Sequence, residues 1–480
     1  MLLAEASAGS TGRAPRATAT ERARRQVAAL VVVFYLLLIF EGALRKWLLI
    51  SWGQPLFFIR DPFVLAIYWL AVRYGFYPRG NLLAAAALAF GFLGLVLIVV
   101  QATGVAATID KWPLLAAYGW RNYFLYIPLP FVIGEALRPA DLERIARIAF
   151  LLAVPIAALV VLQFRAPLEA PINVGFGASL AQQFHGLSID MNHTRPMGTF
   201  TSDVGQKEFV VTSLAMLIAL WVMPAARRYL ARWQMIVVTV ALLTCLALSG
   251  SRGAMLASGL VMLGAVASAA VVRRVAARTI VVPALIVVLA VALFPILFPE
   301  GYSAFLTRWT EAQVSETQVF AWGFFGRVFY AFYDFFHFLG STPFSGYGLG
   351  LAGNASLILG VTIPGFTGWA ESDWSRHIVD LGPLLGMTFI GFRIALVIWL
   401  AGMCVSGARR SGNPLPIILF ASCAFELLTG QITGHGTVNG FTWLFTGLTL
   451  VAARTEVAQP MVQSARGPAI AATPFPNLLR

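Results

Sequence analysis

Apolar runs of about 20 residues, the length a helix needs to cross a bilayer, recur along nearly the whole chain. No other feature restricts the fold as strongly. With 59% hydrophobic and 11% charged residues over 480 positions, the chain lacks the polar surface of a soluble domain. Such runs lie near 26–49, 57–73, 82–103, 116–136, 143–163, 207–223, 234–249, 254–272, 279–298, 381–405, 414–430 and 437–453. They predict an all-α integral membrane protein with about twelve transmembrane helices. Residues 22–454 form the polytopic domain, and the Ala-, Pro- and Arg-rich ends, 1–21 and 455–480, read as flexible tails.

Basic residues set the orientation. Arg13, Arg16, Arg22, Arg24 and Arg25 precede the first run and predict a cytoplasmic start. Alternation then puts Arg73 and Arg79; Arg138, Arg144 and Arg147; Arg227, Arg228 and Arg232; Arg273, Arg274 and Arg278; Arg409 and Arg410; and Arg454 in cytoplasmic loops. Every predicted cytoplasmic loop is thus arginine-rich, and both termini are expected in the cytoplasm. The first run is too long, and lacks the small-residue cleavage site, for a removed signal peptide.

This placement also explains most of the formal net charge of +13. Basic residues at membrane edges form no continuous groove lined with aromatics, which argues against a nucleic-acid partner. Cys245, Cys404 and Cys423 fall inside predicted spans, so neither a disulfide nor a zinc site is expected.

Two segments exceed ordinary loop length, about 165–206 and 299–380, and both fall on the outer side in this topology. Long loops of this kind are commonly functional. The second, between the ninth and tenth spans, contains the run 319–339, apolar enough to mimic a span. Counting it as one would carry Arg409 and Arg410 outside. A helix lying at the interface fits better, with Arg327 and Asp334, seven residues apart, on one face.

The informative cations are those expected outside or at the outer membrane edge: Arg45, Lys46, Arg60, Arg121, Arg195, Arg252, Arg308, Arg327 and Arg376. Some have nearby partners, Glu41 one turn before Arg45 and Asp61 directly after Arg60. Arg252 and Arg327 have no carboxylate within one helical turn. Arg252 sits at the tip of a tight hairpin, in the polar interruption Ser249-Gly250-Ser251-Arg252-Gly253 between two apolar flanks. Snorkelling to lipid phosphate is the plain explanation for such a residue. The small neighbours, Ser251 and Gly253 among them, favour instead the close approach of a bulky anion, and a planar fork suits phosphate.

The Ser-Arg-Gly turn at 251–253 resembles the signature of the O-antigen ligase and O-antigen polymerase superfamily. The run from Gly326 to Gly350 resembles that family's arginine-bearing helix in the large outer loop, followed by a proline and a Gly-x-Gly-x-Gly-like turn, here Gly346, Gly348 and Gly350. Gly382 to Gly386 resembles the glycine-rich start of the next span, and Arg195 to Phe200 a pattern before the span that follows the first long loop. The likeness covers about 190–400.

The resemblance implies a GT-C-type glycosyltransferase in a bacterial inner membrane, acting on an undecaprenyl-diphosphate-linked glycan donor and a glycan acceptor at the periplasmic face. No cofactor is expected, and no metal, since the outer loops hold no clustered Asp-x-Asp or Glu pair and arginines can supply the positive charge. Membrane lipids and chain-length regulators or other polysaccharide assembly proteins are the further partners it implies. Donor pyrophosphate binding carries over to Arg252 and Arg327, with Arg195 alongside. The family's His-Asn pair, about 11 residues before the glycine that opens the next span, is absent. Glu371 stands at that position and His377 is the nearest histidine, so either is a candidate general base. Asp373 and Arg376 are spaced to pair locally. A missing His-Asn pair favours a polymerase of surface polysaccharide over a ligase attaching polymer to lipid A core. A lipid-linked sugar transporter is the alternative of another class, but such proteins gather polar groups near the bilayer midplane, not at one face.

Overall fold

The computed structural model describes residues 14–53, 55–174, 193–224, 228–272, scattered positions between 281 and 296, and then 298–320, 322–366 and 370–455. Most of the expected span 279–298, the arginines at 227, 273, 274 and 278, residues 175–192 of the first long segment and most of both tails lie outside these residues.

Among the described residues the chain forms helices and no strand. In order they are α1 (Ala14–Ala43), α2 (Asp61–Tyr74), α3 (Leu82–Gln101), α4 (Trp112–Trp120), α5 (Leu129–Ala136) and α6 (Pro139–Arg165). Next come α7 (Asp203–Val222), α8 (Arg232–Leu248), α9 (Arg252–Val271), α10 (Pro299–Thr317), α11 (Gly323–Tyr330) and α12 (Phe336–Leu339). The last are α13 (Asn354–Ile358), α14 (Asp373–Leu381), α15 (Pro383–Ser411), α16 (Leu415–Thr429) and α17 (Gly436–Arg454).

Among the described residues, seven helices are long and apolar enough to cross a membrane. They match seven of the twelve expected spans, and the remaining five differ for local reasons. The run at 116–136 is interrupted by a π turn at Arg121–Leu125 before α5, where Pro128 and Pro130 cannot donate backbone hydrogen bonds. Helices α8 and α16 have 17 and 15 residues. Helix α17 is buried along nearly its whole length and carries Thr442, Thr446 and Thr449. The hydroxyls of Thr446 and Thr449 donate to carbonyls four residues back, both at 2.7 Å, so these two are satisfied within the helix. The fifth lies largely outside the described residues.

Helix α17 is the axis of the bundle, packed by α5, α7, α15 and α16. Loop ends sort to the two ends of this bundle. At one, Arg24 pairs with Asp141, Arg138 with Glu21 and Arg454 with Glu135, each at 2.7 Å. A cavity of about 450 Å³ there is bounded by residues such as Glu143, Arg228, Tyr229, Asn413 and Thr455. At the other end lie Arg45 and Arg60, both on Glu41 at 3.2 and 2.8 Å, and Arg121 on Asp61 at 2.6 Å. Arg60 thus reaches back to α1 and leaves its neighbour Asp61 to Arg121.

The run 319–339 is not one helix. It divides into α11 and α12, joined by a turn at 331–335. Arg327 and Asp334 therefore do not share a helical face. Asp334 is buried in the turn and accepts from the Ser372 hydroxyl at 2.5 Å and the Ser372 amide at 3.2 Å. Burial raises its pKa against those bonds.

Candidate functional site

The tight hairpin at Arg252 has a simple local origin. Helix α8 ends at Leu248, Gly250 takes a left-handed φ of +56°, and the chain re-enters a helix at Arg252. The Ser251 hydroxyl caps α9 by accepting from the Ala254 amide at 3.2 Å. Gly253 leaves open space, for a Cβ there would meet only the Ser251 hydroxyl, at 3.8 Å. Arg252 thus projects from a rigid helix start with little around its base.

Its guanidinium meets a carboxylate distant in sequence. Nη1 and Nη2 of Arg252 each donate to one Glu316 oxygen at 2.6 Å, a two-pronged fork. The same group lies over the rings of Trp309 and Phe324, at 5.9 and 5.0 Å from their centroids. Arg327 Nη1 also donates to Glu316, at 3.1 Å. Arg327 then turns its Nε, at 3.0 Å, and Nη2 to a single oxygen of Glu371. Arg252, Arg327 and Glu371, three of the residues singled out from sequence, are therefore joined through Glu316.

The electrostatics follow from this order. Burial alone would raise the Glu316 carboxyl; hydrogen bonds and charges from Arg252 and Arg327 outweigh it and hold the carboxyl below its ordinary range. Burial alone would lower Arg327, yet Glu371 and Glu316 keep its guanidinium above the usual value. Arg308 has no ion pair among the described residues. Burial lowers its pKa, and the nearby charges of Arg195 and Arg252 lower it further.

Arg195 stands one step removed, paired to Asp203 at 2.9 Å. The segment behind it is bolted in place. Gly198, at φ +58°, donates its amide to Gln163 at 2.7 Å, and its carbonyl accepts from Lys46 at 3.1 Å. Thr199 donates to the Ile39 carbonyl at 2.6 Å.

The other sequence candidates lie elsewhere. Gly346, Gly348 and Gly350 have φ values of +76°, +152° and +84°. A Cβ on Gly346 would meet the Asp380 carbonyl at 2.5 Å, and one on Gly350 the Leu115 carbonyl at 2.3 Å. Their turn is clamped between α4 and α14, with Gln101 donating to the Ser345 and Asp380 carbonyls at 2.6 and 2.8 Å. These glycines support backbone packing.

His377 is fully buried, away from the Glu316 cluster. Its Nε2 lies 2.7 Å from Arg393 Nη1 and its Nδ1 3.3 Å from the Tyr123 hydroxyl. Burial, then Arg393 and Arg376, drive its pKa well down. With both ring nitrogens engaged and no exposed surface, His377 belongs to the core. Asp373 does not pair with Arg376 either. It pairs with Arg393 at 2.7 Å and accepts from Thr433 at 2.6 Å.

Glu316, Trp309 and Phe324 join the cluster without having been candidates from sequence, and Arg308 was legible only as one of the outer cations. The legible signal was in α10, where Trp309, Ala312 and Glu316 at i, i+3 and i+7 fall on one helical face. Chemically, the cluster offers two convergent guanidinium forks, a carboxylate that neutralises them, and a second carboxylate at the edge. No protein-family model matches the chain and no curated protein matches it, so the functional reading stands on these residues and their geometry.

Proposed function

We propose that the chain is a bacterial inner-membrane glycosyltransferase of the O-antigen ligase and polymerase kind. In this reading it has about twelve spans, cytoplasmic termini and the Glu316 cluster facing the periplasm. It transfers a glycan from an undecaprenyl-diphosphate carrier to a hydroxyl of a glycan acceptor, lengthening a surface polysaccharide.

One observation carries the reading: Arg252 and Arg327 converge on the same carboxylate, with Glu371 attached to Arg327. A carboxylate gripped by two guanidiniums occupies the place that an anionic diphosphate oxygen would take. The topology draws support from the ion pairs that gather Glu21, Glu135, Arg138, Asp141 and Arg454 at the opposite end of the bundle.

In the reaction the acceptor oxygen attacks the anomeric carbon and gives its proton to Glu371. The bond from that carbon to the diphosphate oxygen breaks, and the diphosphate leaves with the electron pair, held by Arg252 and Arg327. The diphosphate competes with Glu316 for the same guanidinium hydrogens, so donor binding displaces α10 from the arginines. A single displacement inverts the anomeric centre.

Deleting the gene and analysing the cell-surface glycan tests the assignment. Loss of long chains with single repeat units retained is the expected result. Free long polymer missing from its acceptor would instead mean a ligase, and an unchanged glycan would reject both.

A further inference from the structure

Beside Glu371 the surface opens into a groove of about 540 Å³, within the range of small-molecule sites. Its lining includes Phe320, Trp322, Phe329, Tyr330, Tyr333 and Glu371. The rings form two walls. Trp322 meets Phe329 edge-on at 6.3 Å, and Tyr330 lies 5.3 Å from both Phe320 and Tyr333. Gly326, without a side chain, also faces the groove and precedes Arg327. Trp322 is 70% exposed and Phe329 53% exposed, so these rings are not spent on the core.

Two kinds of occupant suit aromatic walls, a hydrocarbon chain and a sugar. The polar groups decide between them. Glu371 uses one oxygen, Oε1, for both bonds from Arg327, and no described residue donates to Oε2. The Tyr330 and Tyr333 hydroxyls have no partner among the described residues. A prenyl chain lying here would strip water from a carboxylate and two phenols and give nothing back, which is costly. A pyranose ring satisfies both demands, with C–H faces against the rings and hydroxyls for the carboxylate and phenols.

We propose that this groove is the acceptor subsite, holding the sugar rings of the acceptor glycan between Trp322 and Tyr330 with one hydroxyl on Glu371 Oε2. The inference rests on the function proposed above and adds where the acceptor lies.

The test uses the full-length protein in detergent and two probes. One is the oligosaccharide released by mild acid from the host's own lipid-linked glycan pool; the other is farnesyl diphosphate. Trp322→Ala and Tyr330→Ala are expected to weaken oligosaccharide binding roughly tenfold. Both should leave farnesyl diphosphate binding unchanged, and Trp322→Phe should retain most of the affinity. In turnover the same variants raise the acceptor KM with kcat largely kept. Weakened farnesyl diphosphate binding with intact oligosaccharide binding would assign the groove to the prenyl chain and overturn the proposal. Unchanged binding of both probes in the folded variants would overturn it as well. Wild-type protein that binds oligosaccharide but no farnesyl diphosphate would instead contradict the donor reading and leave the groove assignment standing.

Discussion

Two of the arginine-centred clusters in this bundle use the same residue types to opposite ends. Arg393 is fully buried in α15 and every hydrogen of its guanidinium is spoken for. Nε donates to the Leu427 carbonyl at 2.7 Å, Nη1 to Asp373 and His377 at 2.7 Å, and Nη2 to the Glu426 and Gly430 carbonyls at 3.0 Å. The Arg252–Glu316–Arg327–Glu371 cluster is graded instead. Side-chain exposure is 13% at Arg252 and 7% at Glu316, but 50% at Arg327 and 34% at Glu371. A closed, fully satisfied network ties α14, α15 and α16 together. A graded one that ends at a groove can exchange partners. Burial and satisfaction, more than residue type, separate a structural network from a candidate site.

The largest effect expected is on stability at Arg393. Removing one member of a buried pair leaves an uncompensated charge and costs about 3–5 kcal/mol. Arg393→Leu should therefore melt far below wild type in detergent or fail to assemble, as thermal unfolding will show. Arg252→Ala should change melting much less, because Arg327 still neutralises Glu316. A large destabilisation by Arg252→Ala with little effect from Arg393→Leu would reverse the comparison.

Next in size is the chemistry at the edge. Glu371→Gln removes the proposed base while keeping the shape, and general-base loss typically costs about 10²–10⁴ in rate. Single-turnover assays should show that loss with donor binding retained. Arg252→Lys should restore little activity over Arg252→Ala, since a point charge cannot reproduce the fork.

The smallest effects are in pH dependence, where the two clusters have opposite signs. Glu316 lies below the ordinary carboxylate range, so its contribution is present above about pH 4.3 and is lost as pH falls through its folded value. Asp380, which accepts from Tyr123 at 3.1 Å, is pushed up to about 7 by burial. Its presence costs stability progressively as pH rises from the ordinary aspartate value through about 7. Melting temperatures from pH 4 to 8 should flatten in Asp380→Asn, while Glu316→Gln should remove only the loss at the acid end.

The seven long apolar helices were legible, because hydropathy runs are properties of contiguous sequence. The tip of the α8–α9 hairpin was legible for the same reason: glycine, serine and one arginine between apolar flanks. The partner of that arginine was not. Glu316 reaches Arg252 only when α10 folds onto α8, and a pairing rule limited to one helical turn finds no carboxylate for either arginine. His377 shows the converse. Its place near Glu371 in sequence made it a candidate base, yet Arg393, inside the expected span 381–405, draws it into the core. A charge within a span is itself a signal, and Arg393 and Glu426 were there to read.

The central claim is that Arg252 and Arg327 hold a departing diphosphate. Purified wild type, Arg252→Ala and Arg327→Ala, reconstituted in liposomes with an undecaprenyl-diphosphate-linked glycan, test it by the amount of elongated product. Both variants should insert and melt close to wild type yet form no product, a loss of at least the roughly 10²–10³-fold typical of one missing anion-stabilising donor. Full product formation by either folded variant would contradict the account.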